Sequence, residues 1–249
     1  MPKPAIIRFD DNAKTEHLPD FPESEIAEGT RAQRGFKWLD DETTDLVAGI
    51  WEAGASISPW MNYPVDEFMM PLEGEIIIVE DGKETRAGPG ESLVIPKGTR
   101  CRYRQDGHVR KFYVYLGNLS GFADPSGLTT LKIDPKVKLQ PSTPPSTDIL
   151  HSPVPTQNAH EYFMNATGDF TVGVWDTTGY HRKLINFPRH ELMHLLEGSV
   201  TFTDDKGATQ TFKKGDTFFV PLGTPNSWKS EGYLRKIYCI FQPGQGVNS

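Results

Sequence analysis

The sequence predicts an all-β protein built as two tandem copies of one domain. Two observations carry this reading. The first is a long internal repeat. Tyr63-Pro64-Val65-Asp66-Glu67-Phe68-Met69-Met70-Pro71-Leu72-Glu73-Gly74 returns 124 residues later as Phe187-Pro188-Arg189-His190-Glu191-Leu192-Met193-His194-Leu195-Leu196-Glu197-Gly198. After one extra residue near Lys206 the offset becomes 125. Gly90, Pro96, Gly98 and Thr99 then return as Gly215, Pro221, Gly223 and Thr224, and Arg110-Lys111 and Tyr113 as Arg235-Lys236 and Tyr238. Solenoid units run only ~20–50 residues, so each copy is a whole domain. The second observation is composition. With 23 Gly, 20 Pro and 11% aromatic residues, the 249-residue chain suits short strands joined by tight turns.

The elements follow in order. Ile6-Ile7-Arg8-Phe9 and Leu131-Lys132-Ile133-Asp134 are expected as matching strands at the start of each copy. Leu46-Val47-Ala48-Gly49-Ile50-Trp51 and Phe170-Thr171-Val172-Gly173-Val174-Trp175 are equivalent strands. The run from Gly74 ends at Asp81-Gly82, a hairpin signal, and the run from Gly198 ends at Gly207 with one more loop residue. Gly90 to Pro96 and Gly215 to Pro221 are short apolar strands closed by Pro-x-Gly turns. No long helix is indicated. The polar, Pro-rich residues 141–148 read as a crossover, giving an N-terminal lobe of 1–125 and a C-terminal lobe of 126–249.

Net charge is −7 and no basic run stands out, which argues against nucleic acid or an anionic membrane as a partner. No apolar run approaches the ~20 residues of a membrane helix, and the N-terminus lacks a signal-peptide core. The two cysteines, Cys101 and Cys239, fall at non-equivalent places, so no disulfide framework is expected. These features predict a soluble, cytoplasmic protein. Asn118-Leu119-Ser120 and Asn165-Ala166-Thr167 match glycosylation acceptors, a pattern common by chance.

Both copies resemble the cupin superfamily. The first cupin motif has two histidines, a glutamate, six residues and a glycine; Glu67 and Gly74 fit its end, as do Glu191 and Gly198. The second motif has a glycine, five residues, Pro-x-Gly, two residues and a histidine; Gly90, Pro96 and Gly98 fit it, as do Gly215, Pro221 and Gly223. The endings Val109-Arg110-Lys111-Phe112-Tyr113 and Leu234-Arg235-Lys236-Ile237-Tyr238 resemble the branch of the ethanolamine-utilisation cupins, which is related to the ureidoglycine aminohydrolase type. The resemblance implies two tandem jelly-roll barrels. It also implies metal ligands, but the histidine places read Met61, Tyr63 and Cys101 in one copy and Ile185, Phe187 and Asn226 in the other. One glutamate with a Cys or an Asn is a poor donor set. No cofactor is therefore expected; a divalent transition metal, if bound, would use Glu191 with His181. His190 and His194 are expected on the outer face of their strand.

Strand alternation assigns each barrel a lining. In the first copy it is Tyr63, Glu67, Met69, Cys101, Tyr103, Lys111 and Tyr113; in the second, Phe187, Glu191, Met193, Asn226, Trp228, Lys236 and Tyr238, with Trp51 and Trp175 near the same walls. Each barrel then holds one inward acid and one inward base, as a structural pair or as a ligand site. Glu67, Lys111 and Tyr113 are the catalytic candidates; Tyr63, Cys101 and Tyr103 in the first copy and Glu191, Asn226, Trp228, Lys236 and Tyr238 in the second are the binding candidates. Three readings compete. The first is a bicupin that binds a small polar metabolite without a metal, with acid–base chemistry as its reaction. The second is a metal-dependent enzyme of the ureidoglycine type, acting on a nitrogen-containing metabolite. The third is a non-catalytic sensor or structural protein. Whether the protein is an enzyme is left open, as is a homodimer.

Overall fold

A computed structural model describes residues 4–117 and 127–244. Asn118-Leu119-Ser120 and the expected lobe boundary between residues 125 and 126 lie outside the described residues. The chain divides into two compact units. One comprises Asp10–Asp134 with Asn165–Phe170; the other comprises the segment ending at Phe9, Pro135–Met164, and the chain from Thr171 onward. Among the described residues the only helical elements are two single 3-10 turns, Glu23–Glu25 and Thr147–Ile149.

The unit holding the first repeat, the N-terminal barrel, has two sheets. One runs in the order Leu131–Ile133, Ser92–Ile95, Asp66–Glu73, Val109–Leu116, Leu46–Ala53, Gln33–Asp41, Glu16–Leu18. The other runs Lys83–Ala87, Ile76–Glu80, Arg100–Gln105, Ser56–Ile57, Glu28–Gly29, with Met61–Asn62 also on Arg100–Gln105. Alternation sends Val47, Met69, Leu93, Ile95 and Tyr113 of the first sheet against Ile76, Ile78 and Cys101 of the second, one buried cluster between two faces. The C-terminal barrel repeats the plan. Its larger sheet runs Ile7–Phe9, Thr217–Val220, His190–Glu197, Leu234–Phe241, Phe170–Thr177, Gln157–Met164, Gln140–Pro141, and its smaller one Tyr180–Asn186, Pro225–Ser230, Ser199–Thr203, Thr209–Lys213. Phe202, Phe212 and Phe218 fill its far end, with Phe212 and Phe218 stacked 3.9 Å apart.

The first strands differ from expectation. Ile7–Phe9 does not open the first copy; it pairs with Thr217–Val220 in the C-terminal barrel. Leu131–Ile133 pairs with Ser92–Ile95 in the N-terminal barrel. The chain therefore passes between units at Phe9/Asp10 and Asp134/Pro135, so each end strand belongs to the unit opposite to that expected from sequence order. Both strands are short apolar edge segments whose pattern fits either sheet, so sequence order alone could not choose between them.

The turns match their residue types. Asp81-Gly82 joins Glu80 to Lys83, and the Asp204 N–H donates to the Ala208 carbonyl around a turn one residue longer. The Pro-x-Gly turns fix the pocket rims. The Gly98 N–H donates to the Tyr63 carbonyl while the Tyr63 N–H donates to Thr99. Gly223, Phe187 and Thr224 repeat this arrangement. Gly98 and Gly223 sit at φ 94° and 78°, a left-handed region that a side chain would strain.

Candidate functional site

In the N-terminal barrel, Asp66–Glu73 carries Glu67 inward and Val109–Leu116 carries Lys111, Tyr113 and Tyr115 inward. Lys111 Nζ donates to Glu67 Oε1 at 2.9 Å and to Met69 Sδ at 2.8 Å. The Tyr63 hydroxyl donates to Glu67 Oε2 at 2.5 Å. Lys111 Nζ also lies 5.1 Å from the Trp51 ring centre and 5.3 Å from that of Tyr103. Glu67 and Lys111 are only 7% and 6% exposed. The group borders a cavity of about 610 Å3 whose walls include Trp51, Tyr63, Glu67, Tyr103, Lys111 and Tyr113. Burial, then the charge of Glu67, raises Tyr63 and Tyr103 well above the usual phenol range, so both hold their protons. Among the described residues the buried Tyr103 hydroxyl has no hydrogen-bond partner.

Tyr113 takes its place because of Gly49, its cross-strand partner. A Cβ at Gly49 would stand 2.8 Å from the Tyr113 hydroxyl and 2.4 Å from the Phe36 carbonyl. The second copy keeps this device: a Cβ at Gly173 would meet the Tyr238 hydroxyl at 2.4 Å.

In the C-terminal barrel, Lys236 Nζ donates to Glu191 Oε1 at 2.6 Å and to Met193 Sδ at 3.3 Å. Arg189 replaces the tyrosine of the first copy: its Nε donates to Glu191 Oε2 at 2.9 Å. Glu191 is 1% exposed. Burial alone would raise its carboxyl, but Arg189 and Lys236 outweigh burial and hold it below the usual range. Burial lowers Lys236 more than Glu191 raises it. The cavity here is about 390 Å3, with Trp175, Tyr180, Trp228 and Tyr238 in its walls.

The structure brings together Tyr63, Glu67, Tyr103, Lys111 and Tyr113 in one cavity, and Glu191, Trp228, Lys236 and Tyr238 in the other. Three expected residues stand elsewhere. Cys101 is fully buried in the core rather than on the cavity wall, and burial pushes its thiol up to about 12, which removes it as a nucleophile near neutral pH. Asn226 is 1% exposed and lies off the cavity lining; its Oδ1 accepts from Arg182 at 2.6 Å and its Nδ2 donates to Thr224. His181 does not meet Glu191. It sits within the strand Tyr180–Asn186, whose alternation turns Tyr180 and Arg182 to the cavity and His181 away, with its ring 5.0 Å from His151.

His190 and His194 also have local roles. His190 Nδ1 accepts the Leu222 N–H, the position where Asp66 accepts that of Lys97. His194 Nδ1 lies 2.9 Å from Thr217 Oγ1, and burial lowers this histidine to about 4. Neither lines the cavity.

The residues present do not fit the metal that the cupin resemblance implies. Each glutamate already has both oxygens hydrogen-bonded, and an ammonium stands beside it where a divalent cation would have to enter. Among the described residues no three His, Cys, Asp or Glu side chains are grouped to hold a metal.

Sequence reasoning missed Arg182 and Arg189. Arg189 was within its reach, two residues before Glu191 and so on the same strand face. Arg182 was not, because a bulge between Arg182 and Ile185 breaks the alternation.

Comparison with known proteins agrees with this architecture. A family model described as a EutQ-like cupin domain matches residues 41–113 and again 164–238. The acetate kinase EutQ of Escherichia coli is 32% identical over 75 residues, 30% of this chain and 31% of that protein. The acetate kinase EutQ of Clostridioides difficile is 31% identical over 75 residues, 46% of its length, so the chain spans under half of either relative. A crystal structure of a protein of unknown function from Pseudomonas syringae superposes with a TM-score of 0.79 at 28% identity, covering 96% of this chain and all of that one.

Proposed function

The chain belongs to the EutQ-like cupin family in both of its repeats, and on that premise we propose that its N-terminal barrel binds a small polar metabolite without a metal. The Tyr103 hydroxyl carries this reading. Tyr103 borders the cavity, and a buried hydroxyl left without a partner costs about 1–3 kcal/mol, a cost that a ligand bonded to it would remove. Glu25 and Glu67 balance Lys37 and Lys111 in the lining, which favours a neutral or zwitterionic ligand. The walls are aromatic and apolar with few polar groups, the usual make-up of a metabolite pocket.

The proposed chemistry is proton transfer through Glu67 and Lys111. Tyr63 keeps its proton under burial and the Glu67 charge, so it orients Glu67 by its hydrogen bond rather than giving up a proton. A second reading, binding without turnover, draws support from Glu67, whose two oxygens are already engaged. The activity named for the EutQ relatives belongs to those proteins, of which this chain matches less than half. A cytoplasmic location is part of the same proposal; no helix among the described residues is long and apolar enough to cross a membrane.

The test is a thermal-shift screen of neutral and zwitterionic metabolites on the wild-type protein, Tyr103→Phe and Glu67→Gln. Tyr103→Phe is expected to melt at or above the wild type and to lose the response to hits. Hits that stabilise both variants as they do the wild type would refute the assignment.

A further inference from the structure

The two barrels differ most where they face their cavities. At the place of Ser58 the second copy has Arg182, and at the place of Val65 it has Arg189. Pairing confirms the first equivalence: Arg182 lies opposite Trp228, as Ser58 bonds to Tyr103. The C-terminal lining thus carries three cations, Arg182, Arg189 and Lys236, against the single acid Glu191.

Arg182 is 5% exposed and meets no carboxylate within ion-pair distance among the described residues. NH1 donates to the carbonyls of Lys183 and Asn226, and NH2 to Asn226 Oδ1. A buried guanidinium hydrogen-bonded only to neutral acceptors carries a desolvation cost that an anion beside it would offset. Ser142, from the Pro-rich crossover, borders the same cavity, and its buried hydroxyl has no partner among the described residues.

We propose that the C-terminal barrel is a binding site for a small organic carboxylate, with Arg182 and Arg189 on its charge and the aromatic walls of Tyr180, Trp175 and Trp228 on its apolar body. A guanidinium matches a carboxylate in plane and donor spacing. Tyr180 and Trp228 stack 5.5 Å apart and Trp175 stands at 90° to Trp228, a wall suited to a flat apolar group. This site is separate from the N-terminal one, whose lining carries balanced charges.

Calorimetric titration of the full-length protein with sodium benzoate, benzamide and inorganic phosphate at constant ionic strength tests it. Benzoate is expected to bind at one site per chain, and benzamide, the neutral counterpart, at least about tenfold more weakly. Arg182→Gln should weaken benzoate by at least about tenfold, while Lys213→Gln, an exposed charge outside the cavity, should leave it unchanged. Should Arg182→Gln fail to fold, Arg189→Gln gives the same reading from a half-exposed side chain. Equal binding of benzoate and benzamide, full binding by both Arg variants, phosphate binding without benzoate, or no benzoate binding would each overturn the proposal.

Discussion

Replacing Glu191 and Glu67 by glutamine compares one substitution in two copies of one fold. The aromatic surroundings are shared: Lys111 lies by Trp51 and Tyr103, and Lys236 by Trp175 and Trp228. Their contribution largely cancels. Glu67→Gln leaves one cation, Lys111, facing an amide that still accepts its hydrogen bond. The Lys111 bond becomes an ordinary one, and the Tyr63 hydroxyl, which can accept as well as donate, turns to receive the amide N–H, a loss of about 1–2 kcal/mol. Glu191→Gln offers one acceptor oxygen to two donors, so of the bonds from Lys236 and Arg189 one is weakened and the other lost, and with Arg182 the lining is left with three cations and no acid. Removing the acid from a buried cluster of this kind costs about 3–5 kcal/mol. The difference of roughly 2 kcal/mol corresponds to roughly 4–8 °C in melting temperature for a chain of this size. Differential scanning calorimetry at neutral pH measures it. Equal shifts, or a larger one for Glu67→Gln, would refute the reasoning. The pH dependence gives a second check. The Glu191 carboxyl is held below its ordinary 4.5 in the folded protein. Its ionisation therefore adds stability above that value, and this is lost as pH falls through the lowered value. The gap between wild type and Glu191→Gln should narrow below about pH 4.5.

Cys101, fully buried with its thiol at about 12, should resist iodoacetamide at pH 8 until the protein is denatured; alkylation of the native protein within minutes would contradict its place in the core. Gly49→Ala and Gly173→Ala should each cost about 1–3 kcal/mol, read by thermal melting, because each added methyl collides with a tyrosine hydroxyl and a backbone carbonyl; unchanged melting would contradict the close packing. Protein purified without chelators or metal-affinity resin should carry far less than one equivalent of Mn, Fe, Ni or Zn by elemental analysis, and a value near one per chain would overturn the metal-independent reading.

The repeat, the all-β character and the inward Glu–Lys pairs were legible because they rest on periodicity, which a sequence displays directly. Residues two apart on a strand share a face, and that rule alone puts Glu67 with Met69 and Lys111 with Tyr113. What it does not give is depth along the face. Cys101 and Tyr103 have the same parity, yet Tyr103 reaches the cavity and Cys101 is sealed in the core. Asn226 and Trp228 divide in the same way, with Asn226 engaged by Arg182. Nor does parity survive a bulge, which hid Arg182, or decide which sheet an edge strand joins, which reversed Ile7–Phe9 and Leu131–Ile133.

The duplication also weighs the candidate residues against one another. Both copies keep a glutamate, a lysine and a methionine in one hydrogen-bonded group, and both keep the glycine that seats a tyrosine. A feature that the fold itself requires is retained in this way, so the Glu–Lys pair by itself says little about which barrel acts. The differences say more. Tyr63, Ser58, Val65, Tyr103 and Leu18 line one cavity, and Phe187, Arg182, Arg189, Trp228 and Ser142 take the equivalent places around the other. Two of these changes, Ser58 to Arg182 and Val65 to Arg189, exchange a hydroxyl and an apolar group for charge. Packing alone gives no reason to bury a guanidinium where a serine suffices, since the substitution adds desolvation cost to the barrel. A ligand of opposite charge does give one. On the two binding proposals, the pockets are one scaffold fitted to ligands that differ in charge.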